Sequence, residues 1–410
     1  MISKTYTNQD ENKGPLSGVR VLDLSMLLPG PLCSMHLADL GAEVIKVEHP
    51  VAIDATRRMG PTLQNNSETA NTSSAMNAYY YCVNRNKKAI TLNYKRPEGK
   101  ELLRKLLEDT DILLEGFRPG MLSSLGLGYD DLKFDFPRLI YCAISGYGAN
   151  GPDRNKAGHD ANYLAGTGLL DITGSEDQPI LLGMQVADIA GGTLLALSAI
   201  MAALYAREKT NKGNFIDTGM MDGAFSLLSL HAGQYLATQK NPARSKMALS
   251  GLLPNYQIYR TKNGRFVVLA ALEGQFFQVF LRQIGKEELL AKTANCEYES
   301  VKQELSKFFS SKSYEELQPL FDHQDACLSP VLTIEEAFEN QQLQEREAIV
   351  EIDDHRFGRI IVPGSPFHLS ETPVSYRFAP PEVGQNNVEI YSKIGVNQDD
   401  LQKLKKKRIV

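Results

Sequence analysis

The stretch VRVLDLSMLLPGPLCSMHLADLGAEVIKVE, residues 19–48, decides the fold. It begins with an apolar run rich in valine and leucine (19–25), continues through a helical pattern (30–41), and ends in a second apolar run (42–48). A helix that connects two apolar strands over so short a distance is typical of a parallel βαβ unit. The stretch therefore predicts an α/β protein with a parallel sheet.

The same alternation continues along the chain. After a polar segment, 54–74, which we interpret as a loop, the predicted elements are a strand at 89–94, a helix at 99–109, strands at 111–117 and 138–148, and a strand and helix within 213–237. Repeated strand and helix patterns of this kind indicate a doubly wound sheet.

The pattern changes after residue 250. YQIYRTKNGRFVVLAAL (256–272) predicts a hairpin with Asn263 and Gly264 at its turn, and amphipathic helices follow to about residue 345. The strand-like GRIIVPGSPFHLSETP (358–373) is expected to return to the first domain. The predicted organisation is a polar disordered tail (1–14), a large domain (15–215), a small domain (216–350) and a C-terminal return (351–410).

Composition excludes several classes of protein. The 410 residues carry 44 basic and 49 acidic side chains, a net charge of −5 that disfavours a nucleic-acid partner. Five scattered cysteines without a CxxC pair indicate a reducing compartment, and the polar N-terminal stretch contains no apolar segment. The apolar run 190–206 is interrupted by polar and small residues, so we interpret it as a buried helix. These features predict a cytoplasmic protein without a membrane partner.

Common nucleotide and hydrolase motifs are absent from the sequence. GYGANG (146–151) matches GxGxxG, but Pro152, Asp153 and Arg154 follow where a dinucleotide-binding helix would begin. The sequence contains no GxxxxGK[ST], GxSxG or HExxH motif. Nicotinamide binding, P-loop phosphate chemistry, serine hydrolysis and zinc proteolysis are therefore not predicted.

Three acid or base residues stand at changes of predicted structure. His159, in KAGHDANYLAG (156–166), is either a packed histidine or a catalytic base. Asp188, in VADIAGG, is expected at the N-cap of the long apolar helix, where an acid serves as a cap, as a carboxylate nucleophile or beside a bound enolate. Glu273, after an apolar strand, is either a helix cap or a partly buried acid of raised pKa.

Ordered motifs from Gly18 to about Tyr391 resemble the family III CoA-transferase (CaiB/BaiF) and α-methylacyl-CoA racemase superfamily. Besides the opening stretch they are NRNKKAITLNYK, LLEGFRPGMLSSLGLGYDDL, PRLIYCAISGYGANGP, AGHDANYLAGTG, VADIAGG, MMDGA and DACLSPVLTIEEA. The resemblance implies a large Rossmann-like domain that binds coenzyme A, a smaller α+β domain, and a homodimer of two interlocked chains.

The resemblance implies two chemistries for the same residues. In a racemase, His159 and Asp188 exchange the α-proton of a 2-methylacyl-CoA through an enolate, with Asp188 kept protonated by a proton shared with Glu273. In a transferase, Asp188 attacks an acyl-CoA thioester and forms a mixed anhydride, and CoA passes to a carboxylic acid. MALSGLLPNY (247–256) lacks the glycine run of formyl-CoA-type transferases. Our main interpretation is therefore a racemase, with a transferase and a non-catalytic CoA-binding protein as alternatives.

The resemblance also implies the residues that contact coenzyme A, which enters as part of the substrate and not as a permanently bound cofactor. No metal is expected. The matched positions are His49, Leu92, Asn93, Tyr94, Lys95, Arg118, Gly158, Asp160, Ala161 and Asn162, with Arg85, Lys87 and Lys88 as nearby phosphate partners. Arginine and lysine suit this role because their charge complements phosphate. The basic stretch KLKKKR (403–408) is expected to be a solvated helix end.

Overall fold

The computed structural model describes residues 5–6, 14–63, 76–323 and 325–410. Internal contacts divide the chain into two compact units, Met1–Thr167 with Gly183–Leu227 and Asn340–Val410, and Gly168–Leu182 with Leu228–Glu339. Most of the predicted tail (1–4 and 7–13) and the second part of the predicted loop (64–74) lie outside the described residues.

Strands and helices are numbered in chain order within the described ranges. The strands are β1 Thr5–Tyr6, β2 Arg20–Asp23, β3 Glu43–Glu48, β4 Lys87–Thr91, β5 Ile112–Glu115, β6 Ile140–Ser145, β7 Asn214–Gly219, β8 Tyr256–Arg260, β9 Phe266–Ala270, β10 Leu328–Pro330, β11 Ile349–Asp354 and β12 Gly358–Pro363. The α-helices are α1 Pro29–Asp39, α2 Ala78–Cys82, α3 Pro97–Leu107, α4 Tyr129–Leu132, α5 Asp160–Thr167, α6 Leu195–Thr210, α7 Met220–Ser226, α8 Ser229–Thr238, α9 Gly274–Gln283, α10 Leu289–Ala294, α11 Tyr298–Ser311, α12 Gln318–Phe321, α13 Ile334–Glu339, α14 Gln341–Glu345, α15 Asn387–Lys393 and α16 Gln398–Lys406.

A six-stranded parallel sheet forms the centre of the first unit, as the opening stretch predicts. Its strand order is β4-β3-β2-β5-β6-β7, and every neighbouring pair is parallel. Strand β6 is buried along its whole length, and β3 is buried at five of its six positions. Such continuous burial explains the unbroken apolar runs in the sequence, because both faces of a parallel sheet are covered.

Strand β4, Lys87–Thr91, begins two residues and ends three residues earlier than predicted. The predicted strand 89–94 ends at Thr91, and residues 92–96 form the connection to α3. Pro97 occupies the first turn of α3, where the missing N–H is tolerated. The segment that the resemblance assigns to coenzyme A therefore lies in a loop and not in the sheet.

A second sheet of the first unit has the order β1-β11-β12. Strands β11 and β12 are antiparallel, and β12 lies in the segment predicted to be strand-like. Thr5 and Tyr6 pair in parallel with Glu351 and Ile352. This part of the predicted disordered tail is therefore a strand.

Helix α15 is bonded directly to β4. The Asn387 side chain accepts the N–H of Thr91 at 2.9 Å, and the Tyr391 hydroxyl donates to the Thr91 carbonyl at 2.7 Å. Ile390 and Tyr391 belong to the same buried apolar cluster as the strands β2, β4 and β5. Helix α15 therefore fixes the end of β4.

The second unit contains an antiparallel sheet of order β10-β9-β8 with helices packed on it. The predicted hairpin is present, and Gly264 at its turn has a left-handed φ of 83°. The ring of Tyr259 on β8 stacks on Phe309 of α11 at 4.8 Å, and Phe309 stacks on Phe280 of α9 at 5.9 Å. An aromatic core thus joins this sheet to its helices.

The apolar run 190–206 belongs to a longer helical segment than expected. A π-helical stretch, Ala187–Leu194, runs directly into α6 to give 24 residues of mean hydropathy 1.8. By length and composition alone this segment could cross a membrane, although core helices of soluble proteins meet the same criterion. It packs against β6, β7 and α1.

Candidate active site

The candidate site lies where the strand order of the parallel sheet reverses. From β2 the chain adds β3 and then β4 on one side, and β5, β6 and β7 follow on the other side. Doubly wound sheets bind ligands at this position, outside the carboxyl ends of the strands. A cavity of about 300 Å³ opens here, lined by the loops that follow β2, β5 and β6.

The cavity brings together residues from five parts of the first unit. They include Met26, Leu27 and Gly30 after β2; Gly116, Phe117 and Arg118 after β5; Ser145 at the end of β6, with Gly146 and Tyr147 after it; Arg154, Lys156, Gly158 and His159 before α5; and Asp188. His159 and Asp188, predicted as catalytic, and Arg118 and Gly158, predicted to contact coenzyme A, thus line the same cavity.

His159 stands immediately before helix α5. Its backbone N–H donates to the side-chain carbonyl of Asn162 at 3.0 Å, and its own carbonyl accepts the N–H of Asn162 at 2.8 Å. The Tyr163 hydroxyl donates to the Gly158 carbonyl at 2.6 Å. A Cβ on Gly158 would lie 2.8 Å from both the Tyr147 hydroxyl and the Tyr163 ring, so glycine is required for packing. These contacts fix the backbone of the GHD motif and leave the imidazole exposed.

Asp188 lies inside the helical segment and not at its N-cap. The N-cap is Val186, which makes no side-chain capping bond, and Asp188 belongs to the first turn. The Asp188 N–H instead donates to Oδ1 of Asp160 at 3.1 Å. The carboxylate of Asp160, on α5, therefore accepts an N–H in the first turn of this helical segment. The Asp188 side chain lines the cavity instead of capping the helix.

The electrostatic environment of Asp188 suits a nucleophile. Burial, followed by the negative charge of Asp160, raises its pKa to about 6, while His159 acts in the opposite direction. The carboxyl is therefore mostly ionised at neutral pH, and it is less solvated than an exposed carboxylate. A partly desolvated carboxylate can attack an activated carbonyl.

Cations surround the cavity. Arg118, Arg154 and Lys156 line it, and the Lys156 ammonium lies 3.5 Å from Asp153. Neither guanidinium makes an ion pair within the part of the chain that the structure describes. The cavity therefore presents two arginines to an anionic ligand.

One wall of the cavity is the loop after β2, which contains a strained residue, Leu27, and is bonded to a buried ion pair. Leu27 has a left-handed φ of 68°, which is uncommon for a residue with a side chain. Its N–H donates to Oδ1 of Asp54 at 3.2 Å, and Asp54 forms a fully buried ion pair with Lys46 at 2.9 Å. The Lys46 ammonium also donates to the carbonyl of Ser25 at 3.1 Å. This ion pair thus fixes the loop on both sides of Met26.

The other predicted coenzyme A residues form a second group around the loop after β4. The Leu92 N–H donates to the carbonyl of Glu48 at 2.8 Å, and buried Tyr94 packs at 6.1 Å on Phe117, whose loop lines the cavity. His49 Nδ1 accepts the N–H of Ala52 at 3.0 Å. Burial, and then the charge of Lys95, lower the pKa of His49. In this chain, therefore, His49 carries little positive charge at neutral pH.

The basic residues before this loop do not fit the predicted phosphate contacts. The Arg85 guanidinium is buried and bonded to both carboxylate oxygens of Asp39. Lys87 is buried 3.3 Å from Asp23, and burial lowers its pKa to about 8. Lys88 bonds to Glu43 at 3.0 Å. The expected role of Arg85, Lys87 and Lys88 as phosphate partners of coenzyme A is therefore corrected, because all three form ion pairs with acids of the fold.

Glu273 belongs to the second unit. It occupies the N-cap of α9 without a side-chain capping bond, and its carbonyl accepts the N–H of Phe276 at 3.0 Å. Its side chain is exposed, so it is not the partly buried acid that the sequence left open. A proton shared between Glu273 and Asp188 stays a prediction.

Sequence reasoning missed three residues of this site. In the sequence, Arg154 serves only to exclude a dinucleotide-binding helix after GYGANG, and Lys156 is only the first residue of KAGHDANYLAG. Both nevertheless lie close before His159 in the chain. The strained Leu27 had no sequence signal, because its conformation depends on Asp54, 27 residues away. Among the described residues, no group of three or more potential metal ligands is clustered.

Comparison with known proteins gives the class to which this fold and site belong. The family model described as CoA-transferase family III matches residues 16–387. The chain belongs to the CoA-transferase family III, the CaiB/BaiF family, and is an enzyme of that family.

Individual relatives include both kinds of enzyme considered for this chain, CoA transferases and racemases. The chain is 37% identical to "Succinyl-CoA:glutarate CoA-transferase" of Mus musculus, covering 93% of this chain and 86% of the relative. It is 35% identical to "Alpha-methylacyl-CoA racemase" of Mus musculus, covering 96% and 97%. A crystal structure of a CaiB/BaiF family protein from Brucella suis superposes with a TM-score of 0.81 at 30% identity, covering 94% of this chain and 100% of that one. These relatives favour the transferase alternative over the racemase.

Proposed function

We propose that the protein is a CoA transferase that exchanges coenzyme A between an acyl-CoA and a free carboxylic acid, with Asp188 as the covalent nucleophile. The observation that carries the proposal is the half-buried Asp188 carboxyl, with a pKa of about 6, in a cavity that is also lined by two arginines without ion-pair partners among the described residues. A carboxylate in this state is ionised at neutral pH and weakly solvated, as attack on a thioester requires.

The chemistry balances without a metal or a redox partner. An Asp188 oxygen bonds to the thioester carbonyl carbon, the C–S bond breaks, and CoA leaves as a thiolate. The thiolate then attacks the aspartyl carbonyl of the anhydride, which releases the first acid and leaves an aspartyl-CoA thioester. The acceptor carboxylate attacks that thioester, and the thiolate finally attacks the new acyl group. Asp188 is thereby regenerated as a carboxylate.

Short dicarboxylic acids are the substrate class we propose. Several relatives are named for succinyl-CoA together with a dicarboxylate such as glutarate. In this chain, Arg118 and Arg154 line the same cavity as Asp188. A guanidinium can bind both oxygens of a carboxylate, so one of them can hold the distal carboxylate while the other end reacts.

The racemase is the weaker reading, although the residues for it are present. His159 and Asp188 line the same cavity, and His159 influences the Asp188 pKa, so a proton could pass between them through an enolate. That mechanism requires one of the two groups to be protonated while the other accepts a proton, and it requires an acyl-CoA with an α-hydrogen. It predicts exchange without any acceptor acid, which separates it from transfer.

A homodimer is part of the proposal. Large apolar side chains are exposed on each unit, including Tyr205 and Phe225 on the first and Leu181, Leu230 and Leu236 on the second, the last three at 72%, 77% and 72%. Because contiguous exposed apolar surface commonly marks an interaction site, we propose that a second, interlocked copy of the chain covers these side chains. Sedimentation of the full chain at several concentrations measures the mass directly.

The function is tested by supplying succinyl-CoA and glutarate and separating the CoA thioesters by chromatography. Formation of glutaryl-CoA with release of succinate supports the proposal, and the reaction should require both substrates. A parallel incubation of a 2-methylacyl-CoA in heavy water, without an acid, tests the racemase. Deuterium uptake at the α-carbon in the absence of any transfer to a panel of dicarboxylates would contradict the proposal.

A further inference from the structure

The basic segment at the end of α16 lies beside the loop predicted to contact coenzyme A. We propose that Arg408 binds a phosphate at the nucleotide end of CoA, the 3′-phosphate, and so extends the substrate site onto the C-terminal segment. The inference rests on the proposed function in taking an acyl-CoA as the ligand, and on the prediction that residues 92–95 contact coenzyme A.

Arg408 is held in place by its neighbour. The carbonyl of Ile409 accepts the N–H of Asn93 at 2.7 Å, and Ile409 is fully buried in the apolar cluster that contains Leu92 and Tyr94. Arg408 itself is exposed, has a left-handed φ of 55°, and donates its N–H to the Lys405 carbonyl at 3.0 Å. The backbone therefore turns sharply at Arg408, directly before the residue bonded to Asn93.

Positive charge accumulates on both sides of that bond. Lys95 and Arg96 follow Asn93, and Lys407 and Arg408 precede Ile409. One acid, Glu98, lies near these cations, with its carboxylate 3.4 Å from the Lys407 ammonium. A hydrogen bond to its own backbone, and then Lys407, lower the pKa of Glu98. The two chain segments joined by that bond therefore carry four cations with one nearby carboxylate, an excess of positive charge that attracts a phosphate.

We assign the 3′-phosphate because it lies at the end of CoA opposite the thioester. The thioester must reach Asp188, inside the cavity, and residues 92–95 do not line that cavity. Tyr94 nonetheless packs on Phe117, which does line it, so the loop adjoins the cavity on its outer side. The end of CoA that lies furthest from the thioester is the nucleotide with its 3′-phosphate, which carries about −1.5 to −2 charges near neutral pH.

Calorimetric titration tests the proposal because binding needs no turnover. CoA and 3′-dephospho-CoA are titrated separately into the full-length protein, into Arg408→Ala and into Lys403→Ala. Lys403 is the matched control, because it lies on the same helix and its ammonium is paired with Asp400 at 2.8 Å. Losing Lys403 removes the same unit of charge without removing a group from the proposed site.

We expect Arg408→Ala to weaken CoA binding roughly fivefold and to leave 3′-dephospho-CoA binding unchanged. Lys403→Ala should have little effect on the binding of either ligand. Equal affinities of the Arg408→Ala variant and the unaltered protein for CoA would overturn the inference and leave the proposed function intact. An equal loss for both ligands would also overturn it, since the 3′-phosphate would not be the partner. Absence of CoA binding by the unaltered protein would overturn both.

Discussion

Oδ1 of Asp160 accepts the backbone N–H of Asp188 at 3.1 Å, which joins the GHD motif to the candidate nucleophile. The bond gives Asp160 two roles. It occupies an N–H in the first turn of the helical segment, and its negative charge helps to raise the pKa of Asp188. Substitutions can separate these roles.

Asp160→Asn should move the acid limb of the transfer rate to lower pH. The amide oxygen can still accept the Asp188 N–H, but the charge that raises the Asp188 pKa is gone. Because Asp188 attacks as a carboxylate, the rate falls as pH drops through its pKa, about 6 in the unaltered protein. The measurement is kcat/KM between pH 4.5 and 8; an unchanged or higher inflection would argue against this role of Asp160.

His159→Ala should shift the same limb in the opposite direction while transfer continues. His159 lowers the pKa of Asp188, so its removal leaves the carboxyl harder to ionise. Transfer near pH 8, where Asp188 is ionised in either case, should be retained. Abolition of transfer at every pH would contradict this, because it would show that His159 is needed for the acyl-transfer steps themselves and not only for the pKa of Asp188.

Asp39→Ala should destabilise the fold strongly, by about 3–5 kcal/mol, because the Arg85 guanidinium would remain buried without its counter-charge. The matched control is Asp135→Ala, which removes the exposed partner of Arg104 and should cost less than about 1 kcal/mol. Urea denaturation monitored by circular dichroism gives both free energies of unfolding. Similar values for the two variants would mean that the Arg85 pair is not structural.

Several features of the fold could be predicted from sequence because their causes are local. Strand β6 is buried on both faces, so its residues are almost continuously apolar. The Asn263-Gly264 pair predicts the hairpin of β8 and β9, because glycine readily adopts the left-handed conformation that the turn requires. The resemblance likewise indicated His159 and Asp188, which the structure brings to one cavity.

Other features depend on residues far apart in the chain. Arg85 and Lys87 look like phosphate ligands in sequence, but Asp39 and Asp23, 46 and 64 positions away, bury them in ion pairs. The first-turn position of Asp188 follows from the π-helical stretch, which no local pattern announces. The racemase interpretation gave weight to a missing glycine run in 247–256, whereas the relatives favour transfer.

Covalent capture of Asp188 tests the central claim most directly. The protein is incubated with succinyl-CoA, quenched with hydroxylamine, digested and analysed by mass spectrometry. The account predicts a hydroxamate on the peptide that contains Asp188, dependent on the acyl-CoA and absent from Asp188→Asn. Turnover of succinyl-CoA with glutarate, accompanied by an unmodified Asp188 under conditions that trap a control thioester, would contradict it.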